Sequence, residues 1–192
     1  TSYGDSPYQS FSAFAGNTHF IDLDFLIDEG LLAEEDLKSV DFGDDPKAVD
    51  YAKVFEARRP LLEKAVARFL KVGDLDKFRN FVAENAAWLE LFAEYMAVKE
   101  HFDLKAWTEW PDEAIRRRQP ESLASYREKL ADKLEYHRVT QYLFFKQWLE
   151  LKQYANDHHI EIVGDMPIYV AADSADVWAQ PHFFKTDKQG RP

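Results

Sequence analysis

Residues 160–178 read I-E-I-V-G-D-M-P-I-Y-V-A-A-D-S-A-D-V-W, and the first half of this stretch decides the expected fold. Ile160, Ile162 and Val163, then Ile168, Tyr169 and Val170, form a near-continuous run of β-branched and aromatic residues. Such a run suits a strand buried on both faces of a parallel sheet. Gly164 and Pro167 interrupt it; a glycine within a strand marks a bulge or a close backbone approach, and a proline lacks the ladder donor, so the strand is an irregular one. Asp173, Ser174 and Asp176 follow at its carboxyl end, the position at which α/β sheets and barrels bind ligands.

Working outward, the chain reaches this strand from a long helical region, and from 50 to 156 the apolar spacing is helical almost throughout. Leu61, Leu62, Ala65, Val66, Phe69 and Leu70 share one helix face, and that helix is expected to end at Gly73. Asp74 is placed to cap the next, whose stripe runs through Phe78, Phe81, Val82, Asn85, Trp88, Leu89, Phe92 and Met96. A break at 104–111 contains W-T-E-W-P, and Arg116, Arg117 and Arg118 read as a solvated basic face. One further helix is predicted over 122–156, delivering the chain through Asp157, His158 and His159 into the strand. Neighbouring histidines on a loop point in different directions, so they do not suggest a metal site.

Ahead of the helical region, Asp22 and Asp24 can cap the short run Phe25-Leu26-Ile27, which Gly30 can end in a left-handed turn. A second short helix is expected near 33–37. The first 17 residues have turn chemistry at 4–7 and 16–17 but no periodicity, and they carry four aromatic rings. They read as a loop ordered by contacts with the rest of the fold, either an active-site loop or a surface loop with buried rings. A single strand cannot form a sheet, because its backbone groups would lack partners. Either the opening segments supply more strand, or the chain is cut from a larger protein.

Composition narrows the function classes. The net charge of −11 opposes a nucleic-acid or anionic-membrane surface, either of which needs a basic field. The chain has no cysteine, which excludes disulfides and thiol catalysis. No apolar run approaches the roughly 20 residues of a membrane span, and the opening residues lack a signal-like pattern, so a soluble, cytoplasmic protein is expected. The 15% aromatic content supplies a core and also offers flat platforms for sugar faces.

Three motifs carry a resemblance: G-D-S-P-Y-Q-S-F-S-A-F-A-G-N at 4–17, W-T-E-W-P at 107–111 and G-D-M-P-I-Y-V-A-A-D-S-A-D-V-W at 164–178. Together with the long helical segment between them, they resemble the 4-alpha-glucanotransferases, the amylomaltases or disproportionating enzymes of glycoside hydrolase family seventy-seven, across essentially all 192 residues. Thr18 departs from the proline common in that family. The resemblance implies an α/β fold, a partial (β/α)8 TIM barrel with a large helical insertion, in which this chain is itself predominantly α-helical. Residues 1–40 would be an early barrel segment with an active-site loop, 41–156 a helical insertion with a barrel helix, and 157–192 a barrel strand with its following loop.

The implied activity is transfer of α-1,4-glucan segments to the 4-hydroxyl of another glucan or glucose, by a retaining two-carboxylate scheme. In the family the nucleophilic Asp sits in an R-x-D-H-type strand motif, and the acid/base Glu on a later strand. Neither motif occurs here, so no catalytic residue is assigned and the isolated chain is expected to be inactive. The resemblance places Tyr8 in the donor site, its ring stacked on a glucose, and Asp173 on sugar hydroxyls, with Ser6, Ser174 and Trp178 as further substrate-binding candidates. Asp165 reads as a loop-orienting residue. The D-S-A-D spacing also fits a capping box, a reading favoured for Asp176. No cofactor or metal is implied. The expected partners are maltooligosaccharides and α-1,4-glucans, not nucleic acid or membrane, and an unfinished sheet edge would favour a homodimer or strand exchange. A competing reading is a non-catalytic α-glucan-binding module using Tyr3, Tyr8, Trp107, Trp110 and Trp178 as platforms.

Overall fold

The computed structural model describes residues 8–45, 47–165 and 168–187. Its helices are α1 (Leu23–Asp28), α2 (Glu34–Lys38), α3 (Tyr51–Val72), α4 (Leu75–His101), α5 (Glu113–Arg116), α6 (Pro120–Lys129), α7 (Ala131–Asp157) and α8 (Ala175–Ala179). Aspartates start the early ones as their positions suggest. Asp22, Asp50 and Asp74 accept hydrogen bonds from the backbone N–H of Asp24, Lys53 and Lys77 at 2.9, 3.1 and 3.1 Å, satisfying donors that the first helical turn leaves open. Gly30 adopts φ +69°, closing the turn after α1.

The two longest helices, α4 and α7, run antiparallel and form the spine. Glu100 lies against Lys133 and His137, Glu90 pairs with Arg138 at 2.5 Å, and Trp88 meets Phe145, so residue numbers fall along α4 as they rise along α7. At one end of this pair the apolar faces of α1, α3 and the 31–32 turn bury Leu26, Leu32, Leu62, Ala65 and Phe69 against Val139 and Leu143. At the other end Tyr95, Val98 and Leu134 pack with Trp107, Trp110, Ile115 and the α8 residues Val177 and Trp178. The second core draws together α4, the 107–115 stretch, α7 and α8, all well separated in sequence, and it carries the loop of interest.

Two expectations change. The single helix predicted over 122–156 is two, α6 and α7, meeting at Leu130, whose backbone (φ −112°, ψ 22°) departs from helical geometry. Leu130 is 7% exposed and belongs to the second core. The strand predicted at 160–170 is not formed: among the described residues there is no strand, and Val163, Ile168 and Tyr169 are 91%, 90% and 82% exposed. The residues have strand character, but a ladder requires a paired neighbouring backbone, and among the described residues none is hydrogen-bonded to them as a strand partner. No helix among the described residues is long and apolar enough to cross a membrane.

Candidate functional site

Segment 8–17 is ordered by a series of specific bonds. Ser12, 5% exposed, uses its hydroxyl oxygen to accept from the N–H groups of Phe14 and Ala15 at 3.1 and 3.3 Å, folding the segment on itself. Gly16 N–H donates to Gln141 Oε1 at 2.7 Å, and Gln141 Nε2 donates to Gly16 C=O at 3.0 Å. Asn17 then caps a short 3-10 turn through His19 N–H at 3.0 Å. The middle of the segment docks on α8: Ala175 N–H donates to Phe11 C=O at 2.8 Å, and Asp176 Oδ2 accepts from Ala13 N–H at 3.0 Å. Tyr8, 60% exposed, donates its hydroxyl to Asp165 Oδ2 at 3.3 Å.

Asp173 sits just ahead of α8 at the meeting point of four segments. Its Oδ1 accepts from the Tyr95 hydroxyl at 2.6 Å and from Trp107 N–H at 3.0 Å, while its Oδ2 accepts from Lys99 Nζ at 2.5 Å. Trp107 Nε1 reaches back to Ala172 C=O at 2.9 Å, and Lys105 C=O accepts from both Lys99 Nζ and Trp110 Nε1 at 3.0 Å. The W-T-E-W-P motif therefore backs the carboxylate. Burial, reinforced by the adjacent Asp173 carboxylate, pushes the Tyr95 phenol far above its usual range, so its hydroxyl serves as a proton-bearing donor.

Those residues singled out from sequence that the structure describes each have a definite place. Tyr8, Asp165 and Asp176 belong to one assembly with Asp173 and segment 8–17. Ser174 is fully buried and caps α8, accepting from Val177 N–H at 3.3 Å. The capping-box reading of Asp173 and Asp176 is thereby corrected: the donors from Tyr95, Lys99 and Trp107 claim the first carboxylate, Ala13 claims the second, and the serine between them takes the cap. Trp178 is 1% exposed, its Nε1 donating to Ile115 C=O at 3.2 Å and its ring covered by Arg118 at 4.2 Å and Trp110 at 5.4 Å. No ring face is left for a sugar, so its role in this chain is packing. Trp107 and Trp110, 5% and 1% exposed, are buried in the same way, which removes three of the five platforms of a binding module. Arg118, read as part of a solvated face, instead stacks on Trp178 and reaches the buried Glu94. Ser6 and Tyr3 lie outside the described residues. Tyr95 and Lys99 were not singled out, because helical spacing marks a lysine as a solvated position unless its distant partner is known.

Among the described residues no group of three or more His, Asp or Glu side chains could hold a metal ion. The family model for 4-alpha-glucanotransferase matches residues 1–191. The chain belongs to the 4-alpha-glucanotransferase family. It is 70% identical over 191 residues to a 4-alpha-glucanotransferase of Streptococcus pneumoniae (strain TIGR4), covering 100% of this chain and 38% of that relative. To the 4-alpha-glucanotransferase of Thermus thermophilus it is 42% identical over 195 residues, again covering 38% of the relative. Its structure superposes on an amylomaltase from Streptococcus agalactiae in complex with acarbose with a TM-score of 0.96 at 56% identity, covering 100% of this chain and 39% of that one. The chain thus spans under two fifths of the length of the relatives it matches.

Proposed function

We propose that these 192 residues are the amino-terminal part of a 4-alpha-glucanotransferase that moves α-1,4-glucan segments to the 4-hydroxyl of an acceptor glucan or glucose. The observation that carries the reading is the family match along the whole chain at less than two fifths of the relatives' length. In this reading 1–40 and 157–192 are segments of a (β/α)8 barrel and 41–156 supplies a helical insertion with a barrel helix. The chain then contributes substrate-contacting surface, and the rest of the full-length enzyme contributes the nucleophile and the acid/base, about 5–5.5 Å apart as a retaining double displacement requires.

Tyr8 stacks on a donor glucose, with its hydroxyl tied to Asp165. Asp173 accepts from a sugar hydroxyl. An ionised carboxylate offers about four acceptor positions; three are filled, and its side chain remains 33% exposed, which leaves room for that contact. Ser6 and Ser174 flank these residues in sequence; the buried Ser174 acts through the start of α8 rather than by touching sugar.

Maltotriose disproportionation tests the reading. The full-length enzyme is expected to yield longer and shorter maltodextrins, and the 192-residue chain none. In the full-length enzyme Asp173→Ala is expected to lower kcat/KM by about 30-fold, corresponding to a loss on the order of 2 kcal/mol from unpaired groups. Tyr8→Ala should lower it about tenfold through the lost stacking face. Product formation by the chain alone, or near-normal turnover by both variants, refutes these assignments.

A further inference from the structure

Lys99 lies on α4 at 2% exposure, and its ammonium is placed for one task. A cation that deep in a fold persists only when paired and hydrogen-bonded. Here Nζ donates to Asp173 Oδ2 at 2.5 Å and to Lys105 C=O at 3.0 Å, and lies 5.0 Å from the centre of the Phe11 ring, within cation–π range. Tyr95, one turn earlier on the same face of α4, closes on the other oxygen of Asp173 at 2.6 Å. One helical face thus holds both oxygens of a carboxylate more than 70 residues away, and the same ammonium touches the loop that bears Tyr8.

The consequence is a carboxylate held at both oxygens. Two donors fill Oδ1 and one fills Oδ2, so what remains of its roughly four acceptor positions is on Oδ2. Segment 8–17 is bonded to the same short stretch through Phe11 with Ala175 and Ala13 with Asp176, so movement of Asp173 carries the Tyr8 loop with it.

We infer that Lys99, supported by Tyr95, is a positioning residue for glucan binding: it fixes the Asp173 carboxylate and the Phe11 loop so that the open acceptor position on Oδ2 meets a sugar hydroxyl. This rests on the reading of Asp173 as a glucan contact. Removing the ammonium frees the carboxylate to turn, and misplacement by about 1 Å is enough to cost on the order of 100-fold in rate.

The test measures KM and kcat separately for maltotriose disproportionation by the full-length enzyme, alongside the thermal midpoint, in Tyr95→Phe, Lys99→Met, Asp173→Asn and the double variant Lys99→Met/Asp173→Asn. Lys99→Met is expected to lower kcat/KM about 100-fold. Tyr95→Phe, which keeps the ring and loses one bond to a carboxylate, should lower it about tenfold, with the thermal midpoint down by only several degrees. Because Lys99 acts through Asp173, the double variant should be no worse than Lys99→Met, a non-additivity that general loss of packing does not produce. Additive losses overturn the inference, as does wild-type kcat/KM in Lys99→Met or Tyr95→Phe when Asp173→Asn is impaired. An unimpaired Asp173→Asn instead overturns the glucan contact itself. Should Lys99→Met fail to fold, Tyr95→Phe decides: a tenfold loss in a variant still fully folded at the assay temperature supports positioning, and wild-type kinetics refute it.

Discussion

Gln141 holds Gly16 by both ends of its backbone, accepting from the N–H at 2.7 Å and donating to the C=O at 3.0 Å. Six residues further along α7, Gln147 repeats the arrangement on Asp22, at 2.7 and 3.1 Å. A segment without a ladder or helix of its own thereby satisfies its backbone on the side chains of a long helix. Gln141→Ala leaves a part-buried donor and acceptor without partners, and is expected to destabilise the chain by about 1–3 kcal/mol in urea unfolding. Faster amide exchange should appear at Gly16 and its neighbours first. Unchanged exchange there would show that other contacts order the loop.

Gly16 is required for space rather than for conformational freedom. A Cβ placed on it would lie 2.0 Å from Cδ1 and 2.1 Å from Cε1 of Phe144, inside any permitted contact. Gly16→Ala therefore forces the ring or the loop to move, with an expected cost of about 1–3 kcal/mol. Combining it with Phe144→Leu should cost less than the two single changes added together, since the smaller side chain yields the room. Strict additivity in thermal unfolding would mean the loop moves and the ring does not.

Glu100 ties α4 to α3 and α7. Arg59 contacts it at 2.6 and 3.1 Å and Lys133 lies at 3.7 Å, while His137 Nε2 is 3.0 Å away but off the line of a straight hydrogen bond. Burial opposes ionisation of the carboxyl, but the His137 and Arg59 interactions outweigh it and hold Glu100 well below its ordinary 4.5. A carboxyl depressed in the folded state takes up protons more readily when unfolded, so its contribution to stability is complete above about pH 4.5 and declines as pH falls below that value. Urea midpoints of the 192-residue chain between pH 6 and 3 are expected to fall, and Glu100→Gln to flatten that fall while lowering stability at pH 6. An equally steep acid limb in the variant would assign it to other carboxylates.

The helical frame was legible because its signals are local. Asp22 and Asp74 precede apolar stripes and do cap them, and Gly73 does close α3. The site was half legible. Tyr8 and Asp173 sit in motifs long enough to be recognised, but the partners of Asp173 come from 66 to 78 residues away, and nothing in a helical period tells a buried lysine from a solvated one. That Ser174, and not the D-S-A-D box favoured for Asp176, caps α8 has the same origin: both residue types cap well, and distant donors claimed the two carboxylates. The strand failed for a different reason. Side-chain pattern reports a preference for extended backbone, whereas a strand exists only where a second backbone completes it.

That distinction yields a prediction about 160–170. Val163 and Ile168 are 91% and 90% exposed, and Ile160 and Ile162 are 57% and 43% exposed. Exposed side chains of this kind tolerate charge, so Val163→Asp is expected to change the stability of the 192-residue chain by no more than about 0.5 kcal/mol. If the segment becomes an inner strand of a barrel in the full-length enzyme, the same substitution puts an unpaired carboxylate into an apolar core, and should cost about 3 kcal/mol or more. Thermal midpoints of the two lengths, with and without Val163→Asp, separate the cases. Any self-association of the short chain, measured by sedimentation, should weaken in the variant, because an exposed run of strand-forming apolar residues is a segment able to pair between chains. Equal tolerance at both lengths would place the segment at the surface of the complete enzyme and remove it from the barrel.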